Sequence, residues 1–280
     1  MPSPLLVKAS AGREICDVTP ERAGWQHVGF RALRLAAGEL ETLATGALEL
    51  CLVVLTGTVR VSAQPDGEGP AAEWFGLGQR DSVFDNLPPA AVYVPPGHQL
   101  SITAERDAEV ALCTAPGHGQ QHPLRAIDPA TMRRSVRGQG ANTRHVCDIL
   151  PHDDPQAASL LVVEVITPAG HSSSYPPHKH DQQTPPTETL LEETYYHRLN
   201  PPQGFAFQRV YTDDRSLDEA CAVEDHDVVM VPRGYHPVVA PHGYDLYYLN
   251  VMAGPQRLWV FKNDPQHEWM LHNPPAPLKR

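Results

Sequence analysis

Apolar residues along this chain gather into short runs separated by turn-forming residues. In the first half, runs rich in Val, Leu, Tyr and Thr cover 47–63, broken at Gly57, and then 91–94, 99–103 and 109–114. In the second half they cover 159–166, 192–198, 205–211, 228–231 and 245–252. These residue types suit pleated, half-buried surfaces, so each run predicts a strand. Only 216–220 reads as helical, and it is too short to organise a domain. Prolines punctuate the runs as pairs at 88-89, 95-96, 176-177, 185-186 and 201-202. There are 29 prolines in 280 residues, roughly twice the usual share. Proline at that density breaks helices and ends strands. An all-β sandwich or barrel architecture is predicted.

The two halves share a phrase. Val94-Pro95-Pro96-Gly97-His98 follows one apolar run, and Val231-Pro232-Arg233-Gly234-Tyr235-His236 follows another, 137 residues later. With matched strand content on either side, the echo reads as duplication of one β domain. Residues 115–142 are rich in Gly, Gln, Pro and Arg, lack strand periodicity, and are read as the linker. The expected division is 1–130 and 131–280.

Composition narrows the function. A formal charge of −11 disfavours nucleic acid and anionic membranes, whose binding rests on a basic face. No apolar run approaches the ~20 residues of a membrane span. Met1-Pro2-Ser3-Pro4 lacks the basic-then-apolar order of a secretory leader. Five scattered cysteines, at 16, 51, 113, 147 and 221, contain no CxxC. Reduced thiols and a cytoplasmic location are expected.

Nine of the 15 histidines lie at or after position 171, so the second half is where chemistry is sought. In Tyr175-Pro176-Pro177-His178-Lys179-His180-Asp181 two imidazoles stand at i and i+2, on one face of a strand. An HxH pair alone is more often two surface histidines than a metal site. Here it is followed by Glu193 at a strand start and by His236 in the Pro-Arg-Gly-Tyr-His turn. Three imidazoles and one carboxylate suit a borderline divalent ion such as Zn, Mn, Fe or Ni. The first half has the turn phrase but no HxH, so no metal is expected there, and His98 reads as a turn residue.

HxH, a downstream Glu and PxGxH together resemble the cupin signature, with an insertion at 181–190 between His180 and Glu193. The longer text is closer to one family. Ser173-Ser174-Tyr175-Pro176-Pro177-His178-Lys179-His180-Asp181 and Leu191-Glu192-Glu193-Thr194-Tyr195-Tyr196-His197-Arg198 resemble the 5-deoxy-glucuronate isomerases of myo-inositol catabolism. So do Asn200-Pro201-Pro202-Gln203-Gly204-Phe205, Gln208-Arg209-Val210-Tyr211-Thr212-Asp213-Asp214-Arg215 and 231–254. His171 after Gly170 is a departure, in a loop before the ligand strand. The resemblance implies two tandem cupin jelly-roll barrels, the second holding a divalent metal. It implies an aldose–ketose isomerase acting on a small sugar acid, 5-deoxy-D-glucuronate, to give 5-dehydro-2-deoxy-D-gluconate. A homo-oligomer is expected.

Such a substrate carries a carboxylate, so a cation is sought near the metal. Arg233 is the leading candidate because it shares the turn of His236, and a guanidinium takes a carboxylate bidentately. Arg209 is the alternative, with Gln208 alternating beside it on one strand. Lys179 sits between two inward histidines and is expected to point outward into solvent. Tyr195 shares the strand face of Glu193 and is the candidate proton donor. His197 is next on that face, and Tyr247 or Tyr248 is expected to line the pocket. Two rival readings share the ligands: another cupin enzyme, such as a dioxygenase or a different sugar-acid isomerase, and a non-catalytic sugar-binding protein.

Overall fold

The computed structural model describes residues 3–272. The architecture is all-β, as the punctuated apolar runs predict, with one four-residue α-helix, Pro20–Ala23, capped by Thr19. In the first half a six-stranded sheet faces a four-stranded one. The six-stranded sheet centres on Leu48–Thr56, between Ala90–Val94 and Ala108–Pro116. The facing sheet holds Leu40–Ala44, His98–Ala104, Val59–Pro65 and Ala72–Leu77. Leu33, Leu52, Val61, Ile102 and Leu112 pack between them. In the second half a seven-stranded sheet carries Glu192–Asn200 between Val228–Val231 and Asp245–Ala253. It faces a four-stranded sheet containing Phe205–Tyr211 and Asp218–Glu224.

The run at 47–63 breaks at Gly57 as expected, into two strands on opposite sheets: the glycine, at φ 80°, turns the chain where a Cβ would come within 2.1 Å of the Asp107 carbonyl. Two expectations are corrected. The 115–142 segment is not strandless: Arg125–Ile127 pairs with Ala90–Val94, and Arg133–Arg137 pairs with Arg144–Leu150. Charged side chains on exposed edge strands hid the alternation. The stretch at 216–220 runs into the strand Asp218–Glu224, since pairing with Phe205–Tyr211 overrides a weak helical preference. The N-terminal pair Leu6–Val7 crosses to the second half and joins Val228–Val231. All five cysteines are buried free thiols.

The two large sheets pack back to back. Phe30, Cys51 and Tyr93 from the first half share one apolar cluster with Tyr196, Tyr247 and Leu249 from the second. Four buried carboxylates lie around this cluster in matching roles. Glu49 accepts the N–H groups of Ala158, Ser159 and Leu160 at 2.7, 2.5 and 2.6 Å. In return Glu192 accepts those of Gln26, His27 and Val28 at 2.7, 2.6 and 3.1 Å. Glu164 takes the Arg80 guanidinium at 3.0 and 2.9 Å, and Glu109 takes that of Arg198 at 2.9 Å on both oxygens. Removing one member of a buried, bonded charge pair costs about 3–5 kcal/mol, because the other is left unpaired. These four fix how the halves dock.

His226 completes the Glu109 cluster, 3.1 Å from Glu109 and 2.8 Å from Asp225. Burial opposes its charge, but the two carboxylates prevail and raise its pKa above the ordinary value. Its contribution is therefore full below the unfolded value near 6.5 and is lost as pH rises through the raised folded value. His226→Asn keeps the left-handed backbone of this position, φ 71°, and removes the charge. The melting-temperature gap between wild type and this variant should be widest in mildly acidic buffer and close in alkaline buffer. A gap independent of pH would contradict the assignment.

Candidate metal centre

Three separate stretches deliver the candidate ligands. His178 opens the short strand His178–Lys179, which pairs with Lys262–Asn263, and His180 follows it. Glu193 is the second residue of Glu192–Asn200, facing into the barrel while Glu192 faces the first half. His236 hangs from the turn after Val228–Val231. That turn needs glycine: Gly234 sits at φ 90°, and a Cβ there would lie 2.4 Å from the Tyr211 carbonyl. The Gly234 N–H donates to Asp181 at 2.9 Å, tying the turn to the HxH strand.

Hydrogen bonding fixes the ring orientations. His180 Nδ1 bonds the Leu191 carbonyl at 3.0 Å, and His236 Nδ1 bonds the Gly234 carbonyl at 2.9 Å. Carbonyls only accept, so both Nδ1 atoms carry a proton, and whenever the rings are neutral both Nε2 atoms present lone pairs. Each Nε2 lies 3.2 Å from Glu193 Oε2. One ligand atom from each of His180, Glu193 and His236 falls within 4.8 Å of the others, all three residues buried. Two lone pairs aimed at a buried carboxylate repel unless a cation lies between them. The donor set therefore fits a divalent metal ion. Asn250 donates to the other oxygen, Glu193 Oε1, and orients the carboxylate.

Burial lowers the pKa of His236 to about 3, against the pull of Glu193, with His178 and His180 lowering it further. Burial and His180 lower that of His178 to about 3. For His180 burial acts in the same direction, but Glu193 outweighs it and the pKa ends raised. His178 stands slightly back from the trio, its ring centroid 4.9 Å from His236, 6.4 Å from His180 and 4.6 Å from Phe261.

The cluster opens onto a cavity of about 290 Å³ lined by His178, Glu193, Tyr195, Tyr248, Asn250 and Trp259, among others. Tyr195 is 2% exposed, its hydroxyl 3.3 Å from Ser174 Oγ. Burial and the Glu193 charge hold its pKa well above the usual phenol value. His197 is fully buried beyond Tyr195, 6.0 Å between ring centroids, with neither ring nitrogen bonded. Gln208 points inward with both ends of its amide unpartnered.

Four expected placements change. Tyr247 faces the other half and donates to Glu164 at 2.9 Å, so strand alternation gives the cavity Tyr248 instead. Arg209 faces outward, paired with Asp218 at 2.7 Å and stacked on Tyr211. Arg233 is exposed and does not line the cavity, because the tight turn sends residue 233 outward as it sends His236 in. Lys179 does point away from the ligands, yet it is buried rather than solvated. Its ammonium lies 2.7 Å from Asp181, 3.2 Å from Asp213 and 3.7 Å from Glu188. Through Asp181 it braces the Gly234 turn. The cations that do line the cavity are Arg137, from the segment read as linker, and Arg144, two residues beyond its end. The i, i+2 spacing of Arg144 and inward Val146 on one strand was the available signal, masked by the surrounding charges.

In the first half the equivalent turn, with Gly97 at φ 74°, ends in His98, whose Nδ1 bonds the Pro96 carbonyl at 3.0 Å. No helix among the described residues is long and apolar enough to cross a membrane.

Known proteins resemble this chain over most of its length. A chain of Geobacillus kaustophilus described as 5-deoxy-glucuronate isomerase is 51% identical over 259 residues, 92% of this chain and 91% of that one. Its counterpart in Bacillus subtilis strain 168 is 50% identical over 91% of this chain and 92% of its own. The crystal structure of an IolB-like protein from Salmonella typhimurium LT2 superposes with a TM-score of 0.91 at 49% identity, over 95% of this chain and 99% of that one. Oxalate decarboxylase of Lactobacillus farciminis, at 14% identity and TM-score 0.64 over 98% of this chain and 92% of its own, shares the cupin fold alone. The KduI/IolB family model matches residues 5–270, spanning the ligand strand, the PRGYH turn and both docked sheets, and the chain belongs to that family.

Proposed function

We propose that this chain is a metal-dependent aldose–ketose isomerase that interconverts 5-deoxy-D-glucuronate and 5-dehydro-2-deoxy-D-gluconate. The observation that carries the reading is the buried trio His180, Glu193 and His236, with both histidine Nε2 atoms 3.2 Å from one carboxylate oxygen and Glu193 reaching the wall of a small cavity. That this trio sits in a chain about half identical to named 5-deoxy-glucuronate isomerases selects the substrate. The catalytic half is 131–280, and 1–130 is a metal-free support.

The reaction moves a proton from the carbon beside an aldehyde to the aldehyde carbon, with charge building on two oxygens. His178, His180, Glu193 and His236 would hold a Zn, Mn, Fe or Ni ion, which would supply Lewis acidity to those oxygens. The chain's own residues orient the ligands and the substrate. Asn250 keeps Glu193 from rotating away from the histidines. Tyr195, held protonated, donates from its hydroxyl to a substrate oxygen and is not the base. Tyr248, bonded to Ser173, fixes the opposite wall. Trp259 and Phe261 close the cavity with apolar surface and keep water from the reacting carbons.

The direct test is an isomerase assay on 5-deoxy-glucuronate with oxygen uptake followed in parallel. Activity should vanish when a chelator strips the metal, return on addition of a divalent ion, and consume no oxygen. His236→Ala should lose most activity while remaining folded, and adding His180→Ala should cost little more, because ligands of one ion act as a unit. Normal turnover by metal-free His236→Ala enzyme refutes the metal's role. Asn250→Leu should weaken metal affinity about 10–100-fold by chelator competition. Unchanged affinity would remove Asn250 from the account.

A further inference from the structure

Arg137 and Arg144 stand directly opposite each other across the antiparallel pair Arg133–Arg137 and Arg144–Leu150. Like charges in that position destabilise a sheet. Elsewhere on the same pair the arrangement is conventional, with Arg133 opposite Asp148 and bonded to it at 2.8 Å. Arg137 has a carboxylate only at 3.6 Å, and that one, Asp148, is already shared with Arg133. Arg144 has no carboxylate within salt-bridge distance among the described residues, though it is half-buried. Its Nη1 donates to the Asn142 carbonyl at 3.1 Å and the Asn142 side-chain oxygen at 3.2 Å, both neutral acceptors.

The turn that supplies those acceptors is tightly built. Gly138 lies at φ 80°, where a Cβ would meet the Asn142 carbonyl at 1.9 Å, and Asn142 Nδ2 donates to the Tyr175 carbonyl at 3.1 Å. One edge of the Arg144 guanidinium is thus held by the turn. Its Nε and Nη2 donors make no bond among the described residues, in a cavity also lined by Glu193 and Tyr248. Burial and Arg137 both depress the pKa of Arg144, so its charge is poorly compensated by the protein.

From this geometry we infer that Arg144, with Arg137 beside it, binds the substrate's carboxylate and sets specificity for a sugar acid over a neutral sugar. The inference rests on the isomerase reading and deepens it. A planar guanidinium with one edge tied and the other free takes a carboxylate through two parallel N–H donors. The second guanidinium offsets the remaining charge, and an anion between the two relieves their repulsion. The acid end of the substrate is thereby placed at the cavity wall formed by this strand pair, with the aldehyde end left for the ligand cluster.

The test compares kcat/KM of the metal-loaded enzyme on 5-deoxy-glucuronate and on its neutral primary amide. Arg144→Gln should lower the value for the acid about 10- to 100-fold, chiefly through KM, and leave the amide nearly unchanged. Arg144→Lys, which keeps the charge but not the fork, should fall between, and Arg137→Gln should show a smaller loss of the same kind. Metal content should not move, and melting temperature should not fall, since either glutamine variant relieves the repulsion between the two guanidinium groups. An equal fall on acid and amide, or none on either, overturns the inference and makes the pair structural. If Arg144→Gln fails to fold, the lysine and Arg137 variants decide by the same ratio. If wild type turns over neither compound, the isomerase reading fails by itself. Calorimetric binding of a non-isomerisable six-carbon aldonate to wild type and Arg144→Gln then decides, equal affinity overturning the inference.

Discussion

The strand Glu192–Asn200 has no solvent face along most of its length, and the rest of the molecule is arranged around that constraint. Its even-numbered side chains grip the first half: Glu192 holds three backbone N–H groups, Tyr196 donates to Glu109 at 2.7 Å, and Arg198 pairs with the same carboxylate. Its odd-numbered side chains, Glu193, Tyr195 and His197, face the interior of the second barrel. A strand alternates with period two, so a register slip would exchange the two sets. Glu193 would then meet the apolar cluster of Phe30 and Tyr247, and Glu192 would meet the histidines. Docking between halves and metal-site geometry are therefore two faces of one requirement.

This gives the first half a physical purpose. Its sheet supplies the surface against which a strand carrying three consecutive charged or polar residues at its start can be fully buried. Glu49 and Glu192 play matched roles across the seam, as do Glu164 and Glu109. Each half also has a turn in which a positive-φ glycine is followed by a histidine whose Nδ1 bonds the carbonyl two residues before it. Only in the second does Glu193 lie opposite that histidine.

Much of this was legible in the sequence because it follows from period-two alternation and from glycine's backbone freedom. The spacing of His178 and His180, the Glu193 strand and the Pro-Arg-Gly-Tyr-His turn needed nothing more, and the family resemblance rested on those same residues. What was not legible depends on which face a strand shows when both faces are buried. Tyr247 and Tyr248 are adjacent and equally apolar, and only the partner Glu164 decides that Tyr247 turns outward. Lys179 was read as solvated because sequence does not reveal Asp213 and Glu188 waiting outside the HxH strand. Arg233 was favoured because it is near His236 in sequence, whereas Arg144 reaches the cavity from a segment whose charges concealed its strands.

The central claim is that one cation sits between the lone pairs of His180 and His236 and the carboxylate of Glu193. X-ray absorption at the metal edge of the loaded protein tests it most directly. The account predicts a first shell of nitrogen and oxygen at about 2.0–2.2 Å if the ion is zinc, with the multiple-scattering signature of imidazole, reduced in His180→Ala. A shell of oxygen alone, or a spectrum unaltered by that substitution, would contradict it.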